Sequence, residues 1–371
     1  MPLLLNEEQS MLRDSARSFL AENAPVAQLR QLRDGHDPAG FAGNTWAAFA
    51  ELGYAGVAVS EAHGGAGLGA VEVGVLMEQI GRHLSALPFL SSSVVAACVL
   101  QRAGSAAQQA HWLPRIARGE AIATLAMDEG QKHRPEAIAL RAERHDHGWR
   151  LSGSKSFVPD AHVASLLLVV ARADDGVALF ALPRDTASLQ VERTPMTDAH
   201  NAARVLLLDV TLPDDARLPG GDEATLHQAL DLGRAAAAAE LLGIADEVFE
   251  RTLDYLKQRK QFGRLIGEFQ ALQHRAATLY VDIELARAAL AKALHTLDTA
   301  PERAAEAVAV AKAKCGTAAT LAVQEGVQMH GGMGMTDQLD FGLFMKRARV
   351  LQELFGDAGF HMDRLARLRG Y

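Results

Sequence analysis

Apolar residues recur at helical spacing through the first 120 residues. Asn6 is placed to cap a first helix, with Glu7 and Glu8 in its first turn and Leu12, Ala16, Phe19 and Leu20 following along one face. Further helices are predicted over 44–52, with Trp46, Phe49 and Leu52 inward, and over 71–80, 91–102 and 106–116. Near Gly119 the period changes. Segments 121–127, 138–144, 149–158, 165–172, 177–182 and 205–212 are short apolar or alternating runs. Turn residues such as Asp146-His147-Gly148 and Asp174-Asp175-Gly176 separate them, the pattern of an antiparallel sheet. After Gly220-Gly221 the helical period returns. Leu241, Ala245, Val248 and Thr252 mark one long helix; Leu272, Ala276, Leu279, Ile283, Ala286 and Leu290 mark a second; 308–327 is a third, and a last follows Asp340. Short connections predict antiparallel neighbours in a four-helix bundle. The expected fold is α+β in three parts: a helical domain over 1–120, an antiparallel β domain over 121–220 and a bundle over 221–371.

Composition narrows the function. With 371 residues, 49% of them hydrophobic and 22% charged, the chain can bury a large core, which excludes general disorder. A net charge of −8 without a Lys/Arg-rich run argues against nucleic acid. Two distant cysteines, Cys98 and Cys315, cannot build a disulfide scaffold or a cysteine-rich zinc site. MPLLLNEEQ lacks the basic region of a secretory signal, and no membrane span is expected. A cytoplasmic protein is expected.

Gly65-Ala66-Gly67-Leu68-Gly69-Ala70 formally fits a dinucleotide fingerprint. The apolar run before it is very short and no second βαβ unit follows, so it reads as a loop between helices. His145-Asp146-His147 sits at a predicted hairpin tip with no third ligand nearby, and no metal site is expected. Arg259-Lys260-Gln261-Phe262-Gly263 ends a long helix, where cations also serve as dipole partners. Gln328-Met329-His330-Gly331-Gly332 closes another, and its glycines let backbone approach a bulky ligand.

RKQFGRLIGEFQ at 259–270 and QMHGGMG at 328–334, with EAHGGAGLG at 61–69 and GSKSFVP at 153–159, resemble the acyl-CoA dehydrogenase family over nearly the whole chain. The resemblance implies FAD bound between subunits of a dimer or tetramer, and oxidation of an acyl-CoA thioester to the 2-enoyl-CoA. A carboxylate removes the α-proton and the β-hydrogen leaves as hydride; an electron-transfer flavoprotein or similar acceptor takes the electrons. By the same comparison Arg259, Phe262 and Gln270, with Gln328, Gly331 and Gly332, hold the cofactor's diphosphate and adenosine side. Met127 and Phe157 lie beside the flavin, and Arg234 stands near the reaction centre.

The departures from the family pattern are pointed. The usual base is a Glu in a Y-E-G-T segment, and alignment on the glycine puts Phe355 there. The alternative family position, before the arginine matched by Arg234, is Gly233. Neither is a carboxylate. The family's T-E-P-x-A-G-S-D run is replaced by Ala126-Met127-Asp128-Glu129-Gly130-Gln131-Lys132-His133, and its flavin-side Trp and Thr by Phe157 and Pro159. Two substitute bases are available. Glu240 lies two helical turns after Gly233 amid apolar residues, and Asp357 lies two residues past the usual base. Either serves a homo-oligomer, or forms only an ion pair or a cap. Otherwise the chain is a base-lacking subunit paired with a related dehydrogenase, resembling the smaller subunits of assemblies that act on steroid or dicarboxyl CoA thioesters. A non-catalytic partner that binds CoA thioesters is the remaining alternative.

Overall fold

A computed structural model describes residues 4–371. The chain forms two compact units, each assembled from separated stretches. One takes the residues up to Arg30, Gly74–Ser85 and Arg234–Tyr371; the other takes Gln31–Val73 and Ala86–Gly233. The N-terminal part carries helices α1 (Glu7–Asn23), α2 (Val26–Asp34), α3 (Gly43–Glu51), α4 (Ala70–His83), α5 (Ala97–Ala103) and α6 (Ala106–Ala117). Asn6 does cap α1: its side chain accepts from Gln9 N at 2.8 Å, and the Gln9 side chain accepts from Asn6 N at 3.0 Å, a reciprocal capping box. Trp46 and Phe49 are buried as expected, but Leu52 is half exposed, because it follows the last turn of α3 where the chain turns away at left-handed Gly53. The expected helix over 91–102 starts as a π-helix, Phe89–Ala96, before α5. Its Ser92 hydroxyl accepts from Ala123 N at 3.0 Å. The glycine run at 64–69 is a loop leading into α4, with no strand before it.

The sheet contains β1 (Ala123–Ala126), β2 (Arg141–His145), β3 (Gly148–Pro159), β4 (Leu166–Ala173), β5 (Gly176–Pro183), β6 (Leu189–Pro195) and β7 (Asn201–Pro213). Its order is β1-β4-β2-β3-β7-β6, with β5 on β4. The β2-β3-β7-β6 run and the β4-β5 pair are antiparallel as expected; β4 departs from that with its other two neighbours, meeting β1 in parallel through Ala123↔Leu166 to Ala126↔Val169 and β2 in parallel at Arg141↔Arg172. Trp149, Leu151, Val169, Phe180 and Val205 form its core, with Trp149 and Phe180 edge to face at 5.3 Å. His145-Asp146-His147 lies at the exposed β2–β3 turn, and no group of three metal-ligating side chains occurs among the described residues.

The C-terminal part has α7 (Glu223–Gln258), a small hairpin of β8 (Lys260–Gln261) and β9 (Arg264–Leu265), α8 (Gln270–Thr299), α9 (Ala304–His330), α10 (Phe341–Glu353) and α11 (Ala358–Leu368). The expected four helices are therefore followed by a fifth, α11. Two glycines set the approach of α4 to α7. A Cβ at Gly81 would collide with the Glu240 carbonyl, and one at Gly243 with the Glu78 carbonyl, so the helices meet backbone to backbone. Beside this crossing Arg82 pairs with Glu247 at 3.0 Å and with Glu250, and Arg251 pairs with Glu247 at 2.7 Å and Asp340 at 2.8 Å. Among the described residues no helix is long and apolar enough to cross a membrane.

Candidate active site

One end of the bundle gathers the residues expected to hold a cofactor. Helix α7 stops at Gln258 and the chain reverses through β8 and β9. The hairpin tip is Phe262 at φ +52° and Gly263 at φ +80°, two left-handed residues in succession, as a tight two-residue turn requires. Gly263 was expected to end the helix; it turns the hairpin instead. The Phe262 ring is 90% exposed. Arg259 is exposed, and among the described residues its guanidinium has no partner. Leu256, Ile266 and Met329 pack together with Tyr255, Phe269 and Leu272 around them, which fixes the hairpin against the last turn of α9. Exposed Gln270 opens α8, and exposed Gln328 lies in the last turn of α9. Gly331 follows at φ +63° and ψ −142°, a region essentially reserved for glycine. Nothing lies within 4 Å of a Cβ built on Gly331 or Gly332, so their backbone is open to a ligand. Arg259, Phe262, Gln270, Gln328, Gly331 and Gly332 thus belong to one surface of one unit.

A second cluster surrounds Phe355. Phe355 is left-handed at φ +60° and Gly356 follows at φ +104°. Arg234, fully buried on α7, donates from Nε to the Phe355 carbonyl at 3.2 Å, with its guanidinium 5.5 Å from the Phe360 ring centre. Lys312 of α9, also buried, donates from Nζ to the carbonyls of Leu351 (2.8 Å), Gln352 (3.2 Å) and Gly356 (3.0 Å). Burial and then the Arg234 charge push the Lys312 ammonium down to about 7. Two buried cations therefore hold four main-chain carbonyls of residues 351–356. Lys312 was missed in the sequence, although it falls on the apolar stripe Val308, Ala311, Cys315, Ala319 of α9, where a lone charge is a signal.

The two substitute carboxylates are both engaged. Glu240 takes the ion-pair alternative: it is paired with Arg347 of α10, which donates from Nε at 2.6 Å and Nη2 at 3.0 Å. Both carboxylate oxygens face the guanidinium, and Glu240 is 1% exposed. Asp357 is the N-cap of α11, accepting from Phe360 N at 2.9 Å.

The third group lies on the sheet. Met127 is buried, and its carbonyl accepts from Lys155 Nζ at 3.0 Å. Lys155 also pairs with Glu129 at 2.7 Å, and burial outweighs that pairing to hold its ammonium below the usual range. The other Glu129 acceptor sites take Ala139 N (2.8 Å) and Leu140 N (3.0 Å), and the Asp128 carbonyl takes Ser156 N (2.7 Å). A register shift between Lys155 and Val158 on β3 turns Phe157 out at φ +49°, half exposed.

The sequence matches two family models, acyl-CoA dehydrogenase N-terminal domain over residues 6–120 and acyl-CoA dehydrogenase C-terminal domain over 221–368. The acyl-CoA dehydrogenase FadE12 of Mycobacterium tuberculosis is 30% identical over 359 residues, covering 93% of this chain and 91% of that protein. The chain belongs to the acyl-CoA dehydrogenase family. The fold agrees with solved members. A variant of the Tcur3481-Tcur3483 steroid ACAD superposes with a TM-score of 0.90 at 32% identity, covering 98% of both chains. The ChsE4-ChsE5 complex of Mycobacterium tuberculosis gives 0.92 at 26% identity, covering all of both chains.

Members of this family are FAD-dependent oxidoreductases of acyl-CoA catabolism. The bundle end fits that cofactor: a cation without a partner, an exposed aromatic face and two open glycines suit a diphosphate joined to flat rings. The sheet segment fits it poorly. The Met127 carbonyl, the Glu129 carboxylate and the Asp128 carbonyl are already bonded within the chain, and Phe157 and Pro159 offer no side-chain donor.

Proposed function

We propose that this chain is the base-lacking subunit of a heteromeric acyl-CoA dehydrogenase. One observation carries the reading: the segment at the base position is tightly built around a phenylalanine, and the carboxylates nearest it in the described residues are engaged, Glu353 of the segment itself pairing with Arg349 at 2.7 Å. Phe355 stands at that position, Glu240 is committed to Arg347 and Asp357 caps a helix. A phenyl ring accepts no proton, and a carboxylate with both oxygens bonded to a buried guanidinium is poorly placed to leave it for a substrate. FAD, when bound, accepts the β-hydrogen of the acyl group as hydride. In this reading Arg259 faces the diphosphate, with Phe262, Gln270, Gln328, Gly331 and Gly332 beside it, on the cofactor of the neighbouring subunit. The related partner supplies the base and the flavin wall, acyl-CoA is the substrate, and an electron-transfer flavoprotein or similar carrier accepts the electrons. Similarity to proteins solved as the ChsE4-ChsE5 and Tcur3481-Tcur3483 pairs supports the mixed assembly.

The test is the visible spectrum of the chain purified alone and again with the dehydrogenase subunit it copurifies with. The expected result is little flavin alone, and flavin bleached anaerobically by an acyl-CoA only in the mixture. Stoichiometric flavin that bleaches in the isolated chain would overturn the reading and require a base in this chain.

A further inference from the structure

Where α4 lies on the bundle, one guanidinium serves three carboxylates unequally. Arg287 of α8 donates from Nη2 to Asp246 of α7 at 2.7 Å and from Nε to Glu284 of its own helix at 3.2 Å. Its Nη1 stands 3.8 Å from Glu78 of α4, an ion pair too long for a hydrogen bond. The other charged and titratable groups here are Arg82 and His83 of α4, Arg13 and Arg17 of α1, Glu247 and Glu250 of α7, and Cys315 of α9. Arg82 is already held by Glu247 at 3.0 Å and by Glu250, and Arg17 lies 4.0 Å from Glu250. Burial pushes the Cys315 thiol up to about 12, so it stays neutral. Burial, and then the Asp246 charge, push the Glu78 carboxyl up to about 7. The Glu78 side chain keeps 23% of its surface, so protons from solvent reach it.

The backbone gives an ionised Glu78 little room to retreat. Gly243, less than one turn before Asp246, meets the carbonyl of Glu78 itself, and Gly81, less than one turn after Glu78, meets the Glu240 carbonyl. Gly74, one turn before Glu78, lies against Leu294 of α8. The helices therefore touch at the acids. A carboxylate taken from water needs a hydrogen-bonding partner in exchange. Arg287 aims its short bonds at Asp246 and Glu284, so full hydration of Glu78 requires the helices to part. A protonated Glu78 carries no such cost. We propose that Glu78 is a proton-operated latch: protonated, it lets α4 lie on α7 and α8, and ionised, it loosens that contact. The stretch it controls, Gly74–Ser85, is the part of the chain between residues 31 and 233 that belongs to the bundle-containing unit.

The experiment is amide hydrogen exchange of the full chain at a series of pH values, read by mass spectrometry over peptides within 74–85 and corrected for the intrinsic exchange rate. Between the ordinary carboxylate value of 4.5 and about 7 the closed form holds a proton that the open form has lost. The opening equilibrium of this stretch should therefore grow about tenfold per pH unit from about pH 5 to 6.5 and level off above about 7. His83 of the same helix, held below its usual range by burial, acts in the opposite sense, so the wild type is compared with a variant at each pH. Glu78→Gln, which mimics the protonated acid, should abolish the growth and keep the stretch protected throughout. Asp246→Asn removes the charge that raises Glu78, and the levelling should move to lower pH. A Glu78→Gln chain whose protection falls with pH as steeply as the wild type overturns the latch, and so does an unmoved midpoint in Asp246→Asn. Should Glu78→Gln fail to fold, as judged by helical circular dichroism, infrared spectra of the wild type decide. A protonated-carboxyl band that shifts with 13C-glutamate and disappears near pH 7 supports the latch; its absence at pH 6 refutes it.

Discussion

Replacing Lys312 with Met tests whether a buried cation organises the segment around Phe355. The lysine is 2% exposed, and as an ammonium it gives all three hydrogens to carbonyls. In the unfolded chain its ordinary value is 10.5; in the folded chain burial and Arg234 bring it to about 7. Between those values the unfolded chain holds the proton and the folded chain does not, so stability must rise with pH from about 7 to 10.5. Each unit of separation is worth about 1.4 kcal/mol, so the gain across the window is on the order of 4–5 kcal/mol. Below pH 7 both forms are protonated and the dependence vanishes. Met fills the volume, removes the titration and leaves the three carbonyls without their donor, at a cost of about 2–4 kcal/mol near pH 7. Trp46, Trp112 and Trp149 all lie in the unit without Lys312, so tryptophan emission is the wrong probe; helical circular dichroism during urea unfolding follows the right one. The difference between wild type and variant should widen steadily from pH 7 to pH 10, with shared titrations cancelling. A difference that stays flat over that range would refute a lysine that gives up its ammonium proton, and with it one of the three carbonyl bonds, above about pH 7 in the folded chain.

Glu240→Gln should lower stability by about 3–5 kcal/mol, because it removes the carboxylate charge that faces the buried Arg347 guanidinium, while turnover per folded assembly is kept. Loss of turnover with an unchanged melting temperature would instead reveal Glu240 as the base. Asp357→Ala should cost about 1 kcal/mol of stability, whereas Asp357→Asn, which still caps, should cost little. Abolished turnover in the Asn variant would show that the carboxylate does chemistry. Gly331→Ala should destabilise the end of α9 by about 1–3 kcal/mol, since its φ and ψ are strained for any side chain, and should raise amide exchange over 331–336. Unchanged exchange would show that this backbone conformation is not required.

The bundle end was legible because its signals are local. Arg259, Phe262 and Gln270 share one helix–hairpin–helix connection, and Gln328, Gly331 and Gly332 close a helix whose period is plain. The long strands were legible from alternation. β6 was not: its LQVERTP is mostly exposed, so no apolar alternation marks it. α2 and α11 are short, and α11 follows a Phe-Gly-Asp turn that reads as a terminus rather than a cap. The fates of the two substitute bases were hidden for different reasons. Asp357 caps across three residues, a choice that sequence leaves open. Glu240 meets Arg347 across 107 positions, and no spacing rule reaches that far. The parallel docking of β1 on β4 is of the same kind, set by packing and not by the strand's own pattern.

The stretched assembly of the bundle-containing unit has a consequence for the order in which this protein can be made. During synthesis α1 leaves the ribosome early, but its unit is completed only by residues from Arg234 onward. The other unit needs nothing beyond Gly233 and can close first. Until then α1 and the later turns of α4 lack the part of their unit that begins at Arg234, from which α1 is separated by an intervening chain of about 200 residues whose ends are costly to bring together. Nascent chains paused near residue 233 should therefore be the form most prone to aggregate and to engage chaperones.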